Sequence, residues 1–171
     1  MTNIKEQAFA LRRPVSEDGA AVFQLIQQCP PLDPNSLYCN LLQCSHFAAT
    51  SVAAFDTDQL VGFISGYIIP DRPNTLFIWQ VAVGETARGS GLATKMLRHI
   101  VQRPACQAVT HMETTITQDN QASWALFERF AAKIEAEVTS SVMFDRDAHF
   151  AGEHDSEHRV KIGPFHLNSE A

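Results

Sequence analysis

Residues 75–83, Thr75-Leu76-Phe77-Ile78-Trp79-Gln80-Val81-Ala82-Val83, form a nearly unbroken apolar run. Gly84-Glu85-Thr86-Ala87-Arg88-Gly89-Ser90-Gly91 follows, and then Leu92-Ala93-Thr94-Lys95-Met96-Leu97-Arg98-His99-Ile100-Val101. The first segment has the length and composition of a strand, and its continuity predicts a central strand covered on both faces. In the last segment Leu92, Met96, Leu97 and Ile100 share one helical stripe. Strand, glycine-punctuated loop and helix together make an arrangement that binds phosphate. Glycines let the backbone turn tightly and approach a ligand, while unpaired N–H groups at the helix start face the anion.

Two familiar phosphate loops are excluded by single positions. The dinucleotide fingerprint needs G-x-G-x-x-G, but Gly89-Ser90-Gly91 is followed by Leu92, Ala93 and Thr94, so the third glycine is missing. A Walker loop needs Lys directly after its second glycine, and Ser90 follows Gly89.

Helical and strand-like patterns alternate on both sides of this segment, which predicts one α/β domain. Upstream, Leu11-Arg12-Arg13-Pro14 ends a strand, and Ser16-Glu17-Asp18 opens a helix that Pro30-Pro31 terminates. Asn35 or Ser36 caps a short second helix with Leu37 and Leu41 inward. Thr50 to Phe55 and Leu60 to Ile69 read as strands joined at Asp56-Thr57-Asp58, and Pro70 to Asn74 is a second turn. Downstream, Ala108 to Thr117 is a strand, and Asp119-Asn120 caps a helix running through Ala131. Ile134 to Phe144 is a last strand, and 145–171 reads as a polar tail with a small apolar end at Val160, Ile162 and Phe165. The expected order is β-α-α-β-β-β-α-β-α-β.

The 171 residues suit one domain, and 45% hydrophobic content is far above that of a disordered chain. A net charge of −6 argues against nucleic acid and anionic membrane surfaces as primary partners, since both need a basic footprint. Neither a membrane-length apolar run nor a signal-peptide pattern is present, so the expectation is a cytoplasmic protein. Cys29, Cys39, Cys44 and Cys106 have no Cys-x-x-Cys spacing and read as small, largely buried residues. His154 and His158 stand four apart, as helical zinc ligands can, but no third ligand is near, and no metal is expected.

Arg88-Gly89-Ser90-Gly91-Leu92-Ala93, set after Gln80-Val81-Ala82-Val83, resembles the pyrophosphate loop of the GNAT superfamily of N-acetyltransferases. The resemblance implies a mixed, strongly twisted sheet flanked by helices, in one acetyltransferase domain over 1–171. Its core would lie at about 9–145, with 146–171 a C-terminal tail contributing to the substrate site. It also implies acetyl-CoA as co-substrate, held by Val81, Val83, Arg88, Gly89, Ser90, Gly91, Ala93, Thr94 and Asn120. The diphosphate would sit at the positive end of the 92–101 helix, with Arg88 adding charge. The pantetheine arm would add to the edge of the 75–83 strand, and a backbone N–H near Val83 would face the thioester oxygen. Such a donor is typically worth about 3 kcal/mol of transition-state stabilisation.

Further segments resemble a narrower family, the L-2,4-diaminobutyrate acetyltransferases of ectoine biosynthesis. They are Pro31 to Tyr38, Thr75 to Val83, Glu113 to Thr117 with Asn120, and His154 to Glu157 followed by Ile162-Gly163-Pro164. Asp155 stands where Glu is common in that family, and Cys39-Asn40 where an aromatic is expected near Tyr38. The substrate would then carry two amines and one carboxylate. Asp33, Asp155 and Glu157 are candidates to hold its ammonium groups, while Asn35, Tyr38 and Trp79 would shape the pocket. Attack requires a neutral amine, and an alkylammonium with a pKa near 10.4 costs roughly 4.6 kcal/mol to deprotonate at pH 7. Glu113, His154 and Glu157 are the candidate bases, acting directly or through water. Many GNAT enzymes use a late-helix Tyr to protonate the departing thiolate, and here that position is Phe127.

Direct transfer is expected, because no cysteine has the context of an acyl-enzyme nucleophile. GNAT enzymes often pair, and Val138 and Val142 on the last strand are candidates for a two-fold contact, so a homodimer is expected. Two other functions remain open: a GNAT enzyme for another small amine such as a polyamine, and a non-catalytic acyl-CoA-binding module.

Overall fold

A computed structural model describes residues 7–167; the outermost parts of the expected 1–171 domain, 1–6 and 168–171, lie outside the described residues. The elements are β1 (Ala10–Arg12), α1 (Gly19–Gln27), α2 (Leu37–Gln43), β2 (Val52–Asp56), β3 (Gln59–Ile68), β4 (Thr75–Val83), α3 (Leu92–Val101), β5 (His111–Thr117), α4 (Gln121–Lys133), β6 (Val138–Phe144) and β7 (Glu157–Ile162). They form a mixed sheet of seven strands in the order β1-β2-β3-β4-β5-β7-β6. The expected element order holds from β1 through β6. β4 and α3 begin and end at the residues that the apolar run and the helical stripe mark out.

One strand was not expected. The segment read as a polar tail returns as β7 and inserts between β5 and β6, antiparallel to both. Met112 pairs with Ile162 and Thr117 with Glu157, while Val138 and Phe144 of β6 face the same two ends of β7. Val160, Ile162 and Phe165, the apolar end of the supposed tail, are buried. β7 alternates buried with exposed residues over only a few positions, and its charged residues hide the pattern that would mark it as a strand.

The chain divides into two compact units, one formed by the residues up to 65 with 80–100, the other by 66–79 with those from 101 onward. In the first, Val22, Leu25, Ile26 and Cys29 of α1 and its C-terminal end pack with Ala53, Phe63 and Ala82. Ser36 caps α2 by accepting from the Cys39 N–H at 3.0 Å, which decides between the two candidate caps. The face that α2 buries differs from expectation. Leu37 is exposed and Leu41 half-buried, while Asn40 and Gln43 are fully buried and hydrogen bonded to each other at 2.9 Å.

In the second unit β4 and β5 run parallel, pairing Thr75 with His111 and Phe77 with Glu113. One residue further on, the Thr114 hydroxyl donates to the Ile78 carbonyl at 2.9 Å, a side chain taking up a backbone acceptor. Leu126, Phe127 and Phe130 make the buried stripe of α4. Asn120 caps this helix, its side-chain oxygen accepting from the Ser123 N–H at 3.2 Å. β4 is not covered throughout, because Trp79 is 43% exposed.

Candidate functional site

The loop after β4 is built by two left-handed glycines. Gly89 has φ +75° and Gly91 φ +76°, values that cost other L-residues roughly 1–2 kcal/mol. A Cβ at either glycine meets nothing within 4 Å beyond its own chain neighbours, so conformation, not crowding inside the chain, requires glycine here. Both positions face open space where a ligand can approach the backbone. α3 starts immediately afterwards at Leu92, so the unpaired N–H groups of its first turn lie against the loop. Ala93 and Thr94 occupy that first turn and are half-buried. The Ser90 hydroxyl turns back to donate to the Ala87 carbonyl at 2.5 Å, which stiffens the loop.

The end of β4 is held from both sides. The Gly84 N–H donates to the Val61 carbonyl of β3 at 2.8 Å. A trans peptide directs its carbonyl opposite to its N–H, so the Val83 carbonyl points away from β3. There it accepts from Arg88 Nε at 3.2 Å and from the Cys29 thiol at 3.5 Å. In an extended residue the N–H and C=O share an edge, so the Val83 N–H also faces away from β3, and so does that of Val81 two residues before. The part of Arg88 nearest the strand therefore braces β4, leaving the outer guanidinium nitrogens to supply charge.

Gln80, which the sequence reading did not select as a site residue, organises the segment carrying Asp33 and Asn35. Its side-chain N–H donates to the Asp33 carbonyl at 3.0 Å, and its side-chain oxygen accepts from Asn35 Nδ2 at 2.8 Å. Asn35 is thus engaged with β4. Asp33 is exposed, and Tyr38 on α2 is 70% exposed, an unusual position for an aromatic ring with only a packing role. A signal for Gln80 did exist: it interrupts the face on which Leu76, Ile78 and Ala82 are buried.

The second unit carries the other candidates. Trp79 meets Tyr67 edge-on at 6.0 Å, and Tyr67 in turn tilts against Phe77 at 5.3 Å. Glu113 is 1% exposed, and its two oxygens accept from the two terminal nitrogens of Arg72 at 2.6 and 3.1 Å. The carboxylate raises the pKa of the Arg72 guanidinium by this pairing. Such a bidentate, buried carboxylate is an ion-pair partner, and this geometry does not suit the expected role of Glu113 as a base.

His154 and Glu157 do come together, with Nε2 and Oε1 3.9 Å apart. The other ring nitrogen, Nδ1, lies 2.6 Å from the Asp155 carbonyl. A carbonyl only accepts, so Nδ1 is the donor in this contact, and Nε2 is the nitrogen turned toward Glu157. Phe150 packs on this imidazole at 4.6 Å. The Asp155 carboxylate is exposed and lies 3.8 Å from Arg146. Burial pushes the Cys44 thiol up to about 12 and the Cys106 thiol up to about 11, and it also raises Cys39. These thiols are poor nucleophiles. Among the described residues no group of three or more His, Cys, Asp or Glu is arranged to hold a metal ion, and no helix is long and apolar enough to cross a membrane.

Comparison with known proteins agrees with this geometry. Residues 20–132 match the acetyltransferase (GNAT) family. An L-2,4-diaminobutyric acid acetyltransferase of Methylotuvimicrobium alcaliphilum is 61% identical over 155 residues, covering 91% of this chain and 90% of that protein. One from Vibrio cholerae is 48% identical over 154 residues, covering 90% and 89%. The solved structure of diaminobutyrate acetyltransferase EctA from Paenibacillus lautus, in complex with its substrate L-2,4-diaminobutyric acid and coenzyme A, superimposes with a TM-score of 0.89. It is 36% identical, with 95% of this chain and 98% of that one covered. With a glycine loop at the head of α3 and relatives matched over nearly their full length, the chain belongs to the GNAT acetyltransferases and, within them, to the family of L-2,4-diaminobutyric acid acetyltransferases.

Proposed function

We propose that this protein transfers the acetyl group of acetyl-CoA to the γ-amine of L-2,4-diaminobutyrate, giving N4-acetyl-L-2,4-diaminobutyrate and free CoA in ectoine biosynthesis. The observation that carries the reading is the loop Arg88–Thr94, whose two left-handed glycines face open space at the head of α3. The CoA diphosphate lies there, against the backbone N–H groups of Gly89 to Thr94 and the outer guanidinium of Arg88. The pantetheine arm follows the edge of Val81 and Val83, whose N–H groups point away from β3. The Val83 N–H donates to the thioester oxygen as it becomes an oxyanion. The side-chain oxygen of Asn120 is engaged as a helix cap, which leaves its amide nitrogen for the cofactor.

His154 is the base in this reading. Its Nε2 takes a proton from the γ-ammonium, directly or through water, and Glu157 stabilises the resulting imidazolium. The neutral amine attacks the thioester carbon, the C–S bond breaks as the tetrahedral intermediate collapses, and the acylated nitrogen gives up its second proton to water. CoA leaves as thiolate, since Phe127 offers no proton and a free thiol has a pKa near 8.5. Glu113 is assigned to its ion pair with Arg72 and not to proton transfer. Asp33 holds the α-ammonium with help from Asp155 or Glu157, and Tyr38 and Trp79 wall the chain of the substrate. The raised thiols of Cys39, Cys44 and Cys106 support direct transfer over an acyl-cysteine intermediate.

A homodimer belongs to the same proposal. β6 is an edge strand whose residues Thr139 to Val142 are exposed, with neither charge nor proline to discourage pairing. Val142 is 54% exposed and Val138 half-buried, so Val142 is the better placed of the two expected contacts. A second copy joining at this edge makes a two-fold interface. Sedimentation showing only monomer at micromolar concentration refutes it. The cytoplasm, as the compartment of acetyl-CoA and of this small-molecule metabolism, is the proposed location.

The deciding experiment is a thiol-release assay against diaminobutyrate, related diamino acids and polyamines, with the mass and acetyl position of each product determined. Preferred turnover of a polyamine, which lacks the carboxylate, overturns the substrate. Binding of acetyl-CoA without turnover of any amine overturns the enzyme in favour of a binding module.

A further inference from the structure

We infer that Gln80 is a positioning residue that sets which amine of the substrate is acetylated; this rests on the proposed role of Asp33. Asp33 sits in an exposed segment between α1 and α2, flanked by Pro34, with no regular secondary structure of its own. Leu32 packs against the core just before it, and a side chain 47 positions away hydrogen bonds the segment itself to the sheet. The Gln80 amide donates to the Asp33 carbonyl at 3.0 Å and accepts from Asn35 Nδ2 at 2.8 Å, so it grips the loop on both sides of Pro34.

The chemistry gives this grip a function. Both amines of diaminobutyrate are nucleophiles, and the α-amine is the more acidic, hence the more easily deprotonated. Intrinsic reactivity therefore does not favour the γ-position. Selectivity requires the α-ammonium to be held at a fixed distance from the thioester, and that distance is only as well defined as the backbone carrying the Asp33 carboxylate. A rigid strand supports it through Gln80, as a substrate-positioning group must be supported to act. An amide gives from one atom and accepts at another, so it can hold two partners at once, which explains a polar residue on the buried face of β4.

The test uses Gln80→Met, which removes both bonds, and Gln80→Glu, which keeps an acceptor for Asn35 but loses the donor to Asp33. Asp33→Ala is run alongside. Each protein is examined for unfolding temperature, acetyl-CoA affinity, KM and kcat for diaminobutyrate, and the ratio of γ- to α-acetyl product. The expected result for both Gln80 variants is a fall of about 10- to 100-fold in kcat/KM for diaminobutyrate, the scale of a displacement near 1 Å. A rising share of α-acetyl product and an acetyl-CoA affinity within about twofold of wild type should accompany it. A role confined to stability would lower the unfolding temperature and leave the isomer ratio alone. If Gln80→Met does not fold, the nearly isosteric Gln80→Glu carries the decision. Wild-type KM and pure γ-product in the folded Gln80 variants, with Asp33→Ala impaired, overturn the role of Gln80 and leave that of Asp33 standing. Wild-type behaviour in Asp33→Ala overturns both.

Discussion

Replacing Gly91 separates the conformational from the electrostatic demands of the loop. With φ +76° and nothing beyond its chain neighbours within 4 Å of the added Cβ, the substitution creates backbone strain but no clash. Asn and Asp tolerate this conformation better than other residues, so each should destabilise the fold by about 1 kcal/mol, or roughly 2–4 °C in Tm for a chain of this size. Both variants should stay folded, since typical domains have about 5–15 kcal/mol of stability. Their effects on ligand binding differ. A carboxylate about 4 Å from a diphosphate charge is opposed by about 4 kcal/mol at an effective dielectric constant of 20, or about 10³-fold in affinity. Asn fills the same space without charge and should weaken acetyl-CoA far less. Calorimetric titration of Gly91→Asn and Gly91→Asp with acetyl-CoA, and circular dichroism to verify folding, measures the difference. Equal and undiminished affinity in the two folded variants would falsify the placement of the diphosphate at residues 88–94.

Three more outcomes follow from the fold. Arg72→Met strands the buried Glu113 carboxylate and should cost about 2–3 kcal/mol, below the full value for a buried pair because Arg72 is 39% exposed. Denaturant unfolding measures this, and a combined Arg72→Met, Glu113→Gln protein should recover part of the loss. Phe165→Ala removes a buried ring just beyond β7 and should lose about 3–5 kcal/mol; a change below 1 kcal/mol would mean that the segment after β7 does not share the core. Acid should weaken the protein in two steps. Burial, then Lys161, hold His111 below its ordinary value, so the unfolded chain takes up that proton first and stability falls as pH drops through about 6.5. The hydrogen bond from Arg12 lowers Asp18, whose contribution is present above about pH 4 and is lost as pH falls through its depressed value. Thermal melts of His111→Gln and Asp18→Asn across pH 3–8 should each lack one step.

The glycine loop after β4, the helix that follows it and the capped start of α4 were all readable in the chain because their determinants are local. A left-handed glycine, a side-chain cap and a helical stripe each act within a few residues. The same locality made β4 legible from end to end, and the family resemblance rested on these segments together. Cysteine chemistry was readable too, since sparse, unpaired cysteines in such a chain are mostly buried, and burial then raises their pKa.

What tertiary structure alone decided lies in pairs far apart in sequence. Gln80 meets Asp33 and Asn35 across more than forty residues, and Arg72 meets Glu113 across 41. Periodicity marks Gln80 as an interruption of a buried face but names no partner for it or for Glu113, so Glu113 read as a candidate base and Gln80 as one more residue of a strand. β7 was hidden for the same reason: its pairing with β5 and β6 comes from chain segments that a local pattern cannot connect. α2 shows the limit most plainly. Its apolar Leu37 is exposed while Asn40 and Gln43 are buried against each other, because a buried amide pair can satisfy part of its hydrogen bonding internally. Sequence determines which residues are able to do chemistry, since that is a property of each side chain and its near neighbours. Only the folded chain decides which of them meet, because a charge or an amide acts on what lies within a few ångströms, whatever its place in the sequence.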